Sequence, residues 1–256
     1  MKVYVINLDN SVSRWEKISL DLTHIGASYA RIPAIYGKSI DWQSVSNDAY
    51  CRSYMGRSIQ PGEVGCFLSH VAALKEFLSQ SEEFAIVLED DADISKDLLG
   101  VANQILMQLK GIDFYAVNLG PSDYKYTSVI QKLDAFTLHC THRFPMLATG
   151  VLWSRAGAQA FLNQFQSVTL PYDNYLRVFL TGTNKAYSVA PAIVTPADFV
   201  SDIDTEGLTQ KRSHLNRSNL YFFIKQKRML TEKCRAIVSM IRFKLSITAP
   251  VIFKEK

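Results

Sequence analysis

The chain of 256 residues has only four cysteines, Cys51, Cys66, Cys140 and Cys234, and their spacing forms no pair of the kind that builds a disulfide framework. A reducing cytoplasm is therefore the expected compartment. Long apolar runs are also missing. The most apolar late stretch, AIVSMIRFKLSITAPVIF, is broken by Arg242 and Lys244, whereas a bilayer span needs about 20 mostly apolar residues, so no transmembrane helix is expected. The opening MKVYVINLDN reaches an acid too early for a secretory signal. Without a G-x-G-x-x-G or Walker sequence, a dinucleotide or P-loop site is not expected. Without repeats, low-complexity tracts or Gly/Ser-rich linkers, one large domain with at most an appendage is expected. His139, Cys140 and His142 crowd together in HCTH, but no second ligand pair follows at zinc spacing. No nucleic-acid module is recognisable either.

What is present is an ordinary globular balance, 48% hydrophobic and 20% charged, with an uneven charge distribution behind a net +4. Residues 211–256 hold twelve Lys/Arg against two acids, which leaves residues 1–210 acidic. Strand-like apolar runs alternate with helical periodicity. KVYVINL predicts a buried strand, SVSRWEKISLDLTHIG a helix with Ser11 or Ser13 as N-cap and Gly26 as its stop, and SYARIPAIYG a second strand. Residues 38–60 are polar and irregular and are expected to form a long loop. PGEVGCFLSHVAALKEFLSQS predicts a helix opened by Pro61 and Gly62 and leading into the strand FAIVLE. DLLGVANQILMQLKGI is helical, and DFYAVNLG, MLATGVLWS and AYSVAPAIV are later strands. The last two are separated by the helical RAGAQAFLNQF and by LPYDNYLRVFL. This alternation predicts an α/β fold with a mostly parallel central sheet. It stops near residue 200, where Lys/Arg-rich and aromatic-rich sequence begins.

Four acids, Glu89, Asp90, Asp91 and Asp93, follow the run Phe84–Leu88 directly. Clustered carboxylates at the C-terminal end of a buried strand repel one another unless a cation neutralises them, and oxygen-rich sites suit Mg²⁺ or Mn²⁺. Such an ion keeps positions open that substrate phosphates fill. The competing expectation is that some of these acids serve as N-cap and first-turn acids of a helix starting near Ser95. Ser69 and His70 are adjacent, and neighbours on a helix do not face each other, so they are not expected to act as a nucleophile and base.

Five blocks, VYVINLDNSVSRW, GEVGCFLSHVAALKEF, AIVLEDDADIS, TGVLWSRAGAQAFL and LPYDNYL, resemble in sequence and order those of glycosyltransferase family 25, the bacterial lipooligosaccharide galactosyltransferases, over roughly residues 1–205. The resemblance implies a GT-A-like nucleotide-sugar transferase fold for 1–205 and leaves 206–256 as a basic, helical, membrane-associating segment. It implies Asp91 as the ligand of Mn²⁺ or Mg²⁺, with Asp93 as a second candidate ligand. Asp90 and Glu89 would reach the ribose or metal-bound water, Asn7, Leu8 and Arg14 the nucleotide, and Gly65, Ser69 and His70 the donor side. Asp173 would act as the base of an inverting transfer from a UDP-sugar donor to a lipooligosaccharide acceptor. A helix N-cap is the alternative role for Asp173, a solvated arginine that for Arg14, and an ordinary buried helix face that for Cys66 and Phe67. UDP-galactose is the expected donor. UDP-glucose, a metal-dependent phosphohydrolase and a non-catalytic sugar-binding protein are the rival functions. The tail interleaves cations with apolar residues, as expected of an interfacial segment held at an anionic inner-membrane surface or of a helix packed on the domain.

Overall fold

The computed structural model describes residues 1–197 and 217–248. The expected domain boundary at 205/206, and tail residues 211–216 and 249–256, lie outside the described residues.

The strands are β1 (Lys2–Asn7), β2 (Tyr29–Pro33), β3 (Phe84–Glu89), β4 (Ala92–Ile94), β5 (Ala116–Asn118), β6 (Thr127–Lys132), β7 (Thr137–Thr141), β8 (Gly150–Ser154), β9 (Ala186–Ala190) and β10 (Val194–Pro196). The helices are α1 (Val12–His24), α2 (Asp48–Met55), α3 (Pro61–Ser79), α4 (Leu98–Gln108), α5 (Arg155–Gln164), α6 (Tyr172–Leu180) and α7 (Tyr221–Thr248). Eight strands form one sheet in the order β2-β1-β3-β8-β5-β9-β7-β6. Six run in the same direction, while β7 and β8 run against them. The α/β fold with a mostly parallel central sheet is thus present, and a two-stranded ribbon of β4 and β10 is added to it.

The unbroken apolar run of β3 has a direct physical cause. Successive side chains alternate between the faces of a strand, and both faces are covered. Ala85 and Val87 enter the core beneath α3, α5 and α6, together with Phe67, Phe161 and Tyr172. Ile86 and Leu88 enter the core beneath α1 and α4, with Ile18, Leu22 and Ile105.

The loop expected over 38–60 is corrected: it starts within a 3-10 turn at Gly37–Ser39 and contains α2. Asn47 caps α2 by accepting from the Tyr50 N–H, and Gly56 ends it with a left-handed φ of 73°. Cys51 and Met55 anchor it in the core. Helix α3 begins where expected, with Pro61 at its first position and the Glu63 carboxylate accepting from the Gln60 N–H at 2.9 Å. It lies close against the turn before it. A Cβ on Gly65 would come within 2.4 Å of the Ile35 carbonyl oxygen.

No described helix is long and apolar enough to cross a membrane. One face of α7 packs on the body, where Glu232 is buried among Arg143, Arg177 and Arg228. Ser239 is also buried there, beside Asn184.

Candidate active site

The C-terminal ends of β1 and β3 lie side by side, with Ile6 opposite Glu89, so Asn7 comes next to the acids that follow β3. Asn7 Nδ2 donates to Asp90 Oδ2 at 2.6 Å and to the Ser11 carbonyl at 3.0 Å. Its Oδ1 accepts from Arg31 Nε at 2.7 Å. Arg14, on the first turn of α1, meets the other oxygen of Asp90 at 3.4 Å. Leu8 is half-buried at the head of that turn, and its carbonyl accepts from the Ser11 N–H. Asn7, Arg14 and Asp90 are therefore brought together as one hydrogen-bonded floor.

Asp91 is placed differently. Its backbone carbonyl accepts from the Ala197 N–H at 2.7 Å, which fixes the residue between β3 and the β4–β10 ribbon. Its Oδ1 is buried with no hydrogen-bond partner. Burial, followed by the charges of Glu89 and Asp90, raises its pKa to about 6. A buried carboxylate oxygen without a donor, beside two further acids, fits a divalent cation. Asp93 does not share the position. It turns out to solvent on β4 and pairs with Lys17 at 3.0 Å.

Glu89 faces α3. His70 Nε2 lies 3.2 Å from its Oε1, and Cys66 Sγ approaches the same oxygen at 3.9 Å. Cys66 and His70 are one helical turn apart and thus share a face. Their ligand atoms and that of Glu89 lie within 4.8 Å of one another, a grouping that could hold a soft divalent ion. The Cys66 thiol, however, is pushed well above its usual range by burial and by the Glu89 charge, and His70 Nδ1 is buried without a partner. A metal-bound imidazole normally donates its other N–H to a neighbour. The three residues are better satisfied as a hydrogen-bonded group that aims Glu89. His70 is buried and stacks on Tyr172, with ring centroids 3.6 Å apart. Ser69 is buried as well and ties α3 to the preceding turn, accepting from the Ile35 N–H at 2.8 Å. Gly65 makes the close approach there. These two build the wall rather than line the site.

Asp173 follows Tyr172 on the first turn of α6, whose N-cap is Pro171. Its carboxylate reaches another segment, accepting from the N–H groups of Leu147 at 3.2 Å and Ala148 at 3.1 Å. Burial and then the Glu89 charge raise its pKa. Glu89 is thus the shared neighbour of Asp91 and Asp173, and its charge raises both. A groove of about 580 Å³ at the opposite end of β3, between Phe84 and the end of α4, includes none of these residues.

Two polar residues of the sheet were not foreseen. Arg31 binds Asn7 and also meets Asp9 at 2.6 Å. Asn118 ends β5, fully buried, with Oδ1 unpartnered. The signal for Asn118 is in the sequence: VINL and AVNL both close an apolar strand with an asparagine. The HCTH group proves to be structural, with His139 against Thr127 and His142 against Ser128 and Asn184.

A family model described as Glycosyltransferase family 25 (LPS biosynthesis protein) matches residues 1–176, which include every residue of this site. The chain is 25% identical over 223 residues to procollagen galactosyltransferase 1-B of Xenopus laevis, an alignment covering 78% of this chain and 36% of that protein. It is 24% identical over 226 residues to a glycosyltransferase 25 family member of Anopheles gambiae, covering 78% and 37%. It is also 27% identical over 111 residues to the inactive glycosyltransferase 25 family member 3 of Homo sapiens, covering 41% and 19%. The chain therefore spans little more than a third of the length of the first two.

Proposed function

The chain belongs to glycosyltransferase family 25, and on that premise we propose that it is an inverting galactosyltransferase, moving galactose from UDP-galactose in β-linkage to a lipooligosaccharide-type acceptor. The observation that carries this reading is the buried, unpartnered Oδ1 of Asp91 at the end of β3, with Asp173 near enough for the same Glu89 charge to raise both carboxylates. Galactose is supported by the name of the Xenopus relative, and a lipopolysaccharide-type acceptor by the description of the family.

Asp91, with Glu89 beside it, would hold Mn²⁺ or Mg²⁺, which when bound supplies Lewis-acid stabilisation of the departing diphosphate. Asn7 and Arg14, fixed through Asp90, form the floor on which the nucleotide rests. Asp173 accepts the proton of the acceptor hydroxyl. That oxygen bonds to the anomeric carbon while the bond from this carbon to the diphosphate breaks, and the electron pair leaves with UDP. The raised pKa of Asp173 makes it a stronger base than an exposed aspartate. The two N–H groups of Leu147 and Ala148 keep its carboxylate from rotating away. The basic C-terminal segment holds the enzyme at the anionic inner face of a membrane, where a lipid-linked acceptor is found.

The test is release of UDP from a panel of nucleotide sugars with Mn²⁺ and lipooligosaccharide. Acceptor-dependent release from UDP-galactose is expected. Turnover of UDP-glucose alone would reassign the donor, and phosphate release from a simple ester without sugar transfer would replace the reading with hydrolysis. No turnover of any donor would place the chain with the inactive relatives.

A further inference from the structure

Helix α7 has two unlike faces. Its inward stripe runs through Tyr221, Glu232, Ala236, Ser239 and Phe243, positions that coincide at 100° per residue. Tyr221 covers Gly56, Glu232 meets Arg143 at 2.8 Å, and Phe243 packs edge-on to His142. The opposite stripe carries Phe223, Leu230, Ile237, Ile241 and Leu245, exposed by 71%, 64%, 42%, 51% and 64%. Lys227 lies within this stripe, Lys233 and Lys244 border it on one side, and Arg242 borders it on the other. The helix contains a single acid, Glu232, and that acid is turned inward and buried.

We propose that this outer stripe of α7 is the surface that lies on an anionic lipid bilayer, with the helix in the plane of the interface. The proposal rests on the membrane reading above and narrows it to one face of one helix. Charge complementarity chooses the occupant. A second copy of α7 would set Lys227 and its flanking cations against an identical cationic row with no acid to offset them. A bilayer takes the apolar side chains into the acyl boundary and offers phosphates to the lysines. The inward contacts keep α7 on the catalytic body, so the whole enzyme follows the helix to the surface.

The experiment uses the full chain and co-sedimentation with vesicles of phosphatidylglycerol and phosphatidylethanolamine, compared with phosphatidylcholine alone. The wild type is expected to bind the anionic vesicles, and to be released by salt. A Leu230→Asp/Ile241→Asp variant should lose roughly 10²-fold in partitioning, since both apolar contacts are replaced by charges of the repelled sign. A Lys227→Gln/Lys233→Gln/Lys244→Gln variant should also lose about 10²-fold, close to fivefold per lysine. Turnover of a soluble saccharide acceptor should be unchanged in both, because neither alters the site. If the wild type binds and both variants bind equally well, the stripe is not the surface, while the membrane reading survives on other parts of the tail. If the wild type binds no vesicle, both fall. A dimer in light scattering that the Leu230→Asp/Ile241→Asp variant abolishes, without vesicle binding, would assign the stripe to a second copy and overturn the proposal.

Discussion

Asp91 and Asp173 are both aspartates with raised pKa values, yet they are held in opposite ways: one oxygen of Asp91 has no donor, whereas both oxygens of Asp173 have one. An acid whose folded pKa is raised contributes stability that is full below its unfolded value and is lost as pH rises through the folded value. For Asp91 that window runs from about 4 to about 6. Thermal unfolding in chelator should therefore show the metal-free protein losing up to about 3 kcal/mol across it, and Asp91→Asn should flatten that loss. Added Mn²⁺ should restore the wild type alone, and superimposable pH profiles for the two proteins would remove Asp91 from the metal site. Asp173→Asn should lower kcat by roughly 10²–10⁴ while UDP affinity persists. It should also lower stability by about 1–2 kcal/mol, because an amide offers one acceptor to the two N–H groups of Leu147 and Ala148. Collapse of UDP affinity along with the rate would make Asp173 a donor-side or structural residue. The cluster EDDAD was legible as a strand-end acidic motif, but the division of labour within it was not. Period-2 alternation cannot show that Asp93 finds Lys17 on α1 while Asp91 is closed in by Ala197.

At the scale of elements, β1, α1, α3, β3 and α5 were legible because their patterns are long or bounded by strong signals such as Pro61 and Gly26, whereas LPYDNYLRVFL, which forms α6, was not legible as a helix. Helix α2 was not. It is only eight residues long, DAYCRSYM, and its two buried side chains, Cys51 and Met55, give too little periodicity to stand out from a polar segment. Its cap Asn47 and its stop Gly56 were the readable signs. Strands β4, β6 and β10 were missed for a related reason: three residues, or an exposed edge, leave no alternation to detect, and β7 was missed as well, its residues standing out only as the HCTH group. The approach of α3 to the turn at Gly37 tests how closely these elements are fitted. A Cβ at Gly65 would meet only backbone, at 2.4 Å from Ile35 O and 2.6 Å from Gly37 N, and backbone cannot rotate away. Gly65→Ala should therefore cost about 1–3 kcal/mol in urea unfolding. It should also weaken donor binding, since the same helix presents His70 to Glu89. Unchanged stability would mean that α3 and the turn can separate without penalty.

Across the whole molecule, the acidic body and basic tail meet at one buried acid. Glu232 accepts from Arg143 at 2.8 Å and from the Tyr54 hydroxyl at 3.1 Å, and Arg177 and Arg228 lie within 3.8 and 3.9 Å of it. Three guanidiniums around one carboxylate are poorly balanced without it. Burial, followed by the charge of Arg143, already lowers the Arg177 pKa to about 10. Charge counting separated tail from body but could not reveal this clamp, because, apart from Arg228 one turn away on α7, the partners of Glu232 come from segments some 55 to 180 residues away. Removing one member of a buried charge group leaves the others unpaired, at a cost of about 3–5 kcal/mol. Glu232→Ala should accordingly free α7 from the body: hydrogen exchange should accelerate along Tyr221–Thr248 while the amides of β1, β3 and β8 stay protected. The sheet is expected to hold because, among the described residues, its two cores are built from the first 197 positions, apart from a peripheral contribution by Phe243. Uniform loss of protection would show that α7 is part of the cooperative fold. Unchanged exchange in α7 would show that its remaining contacts at Tyr221, Ser239 and Phe243 hold it without the clamp.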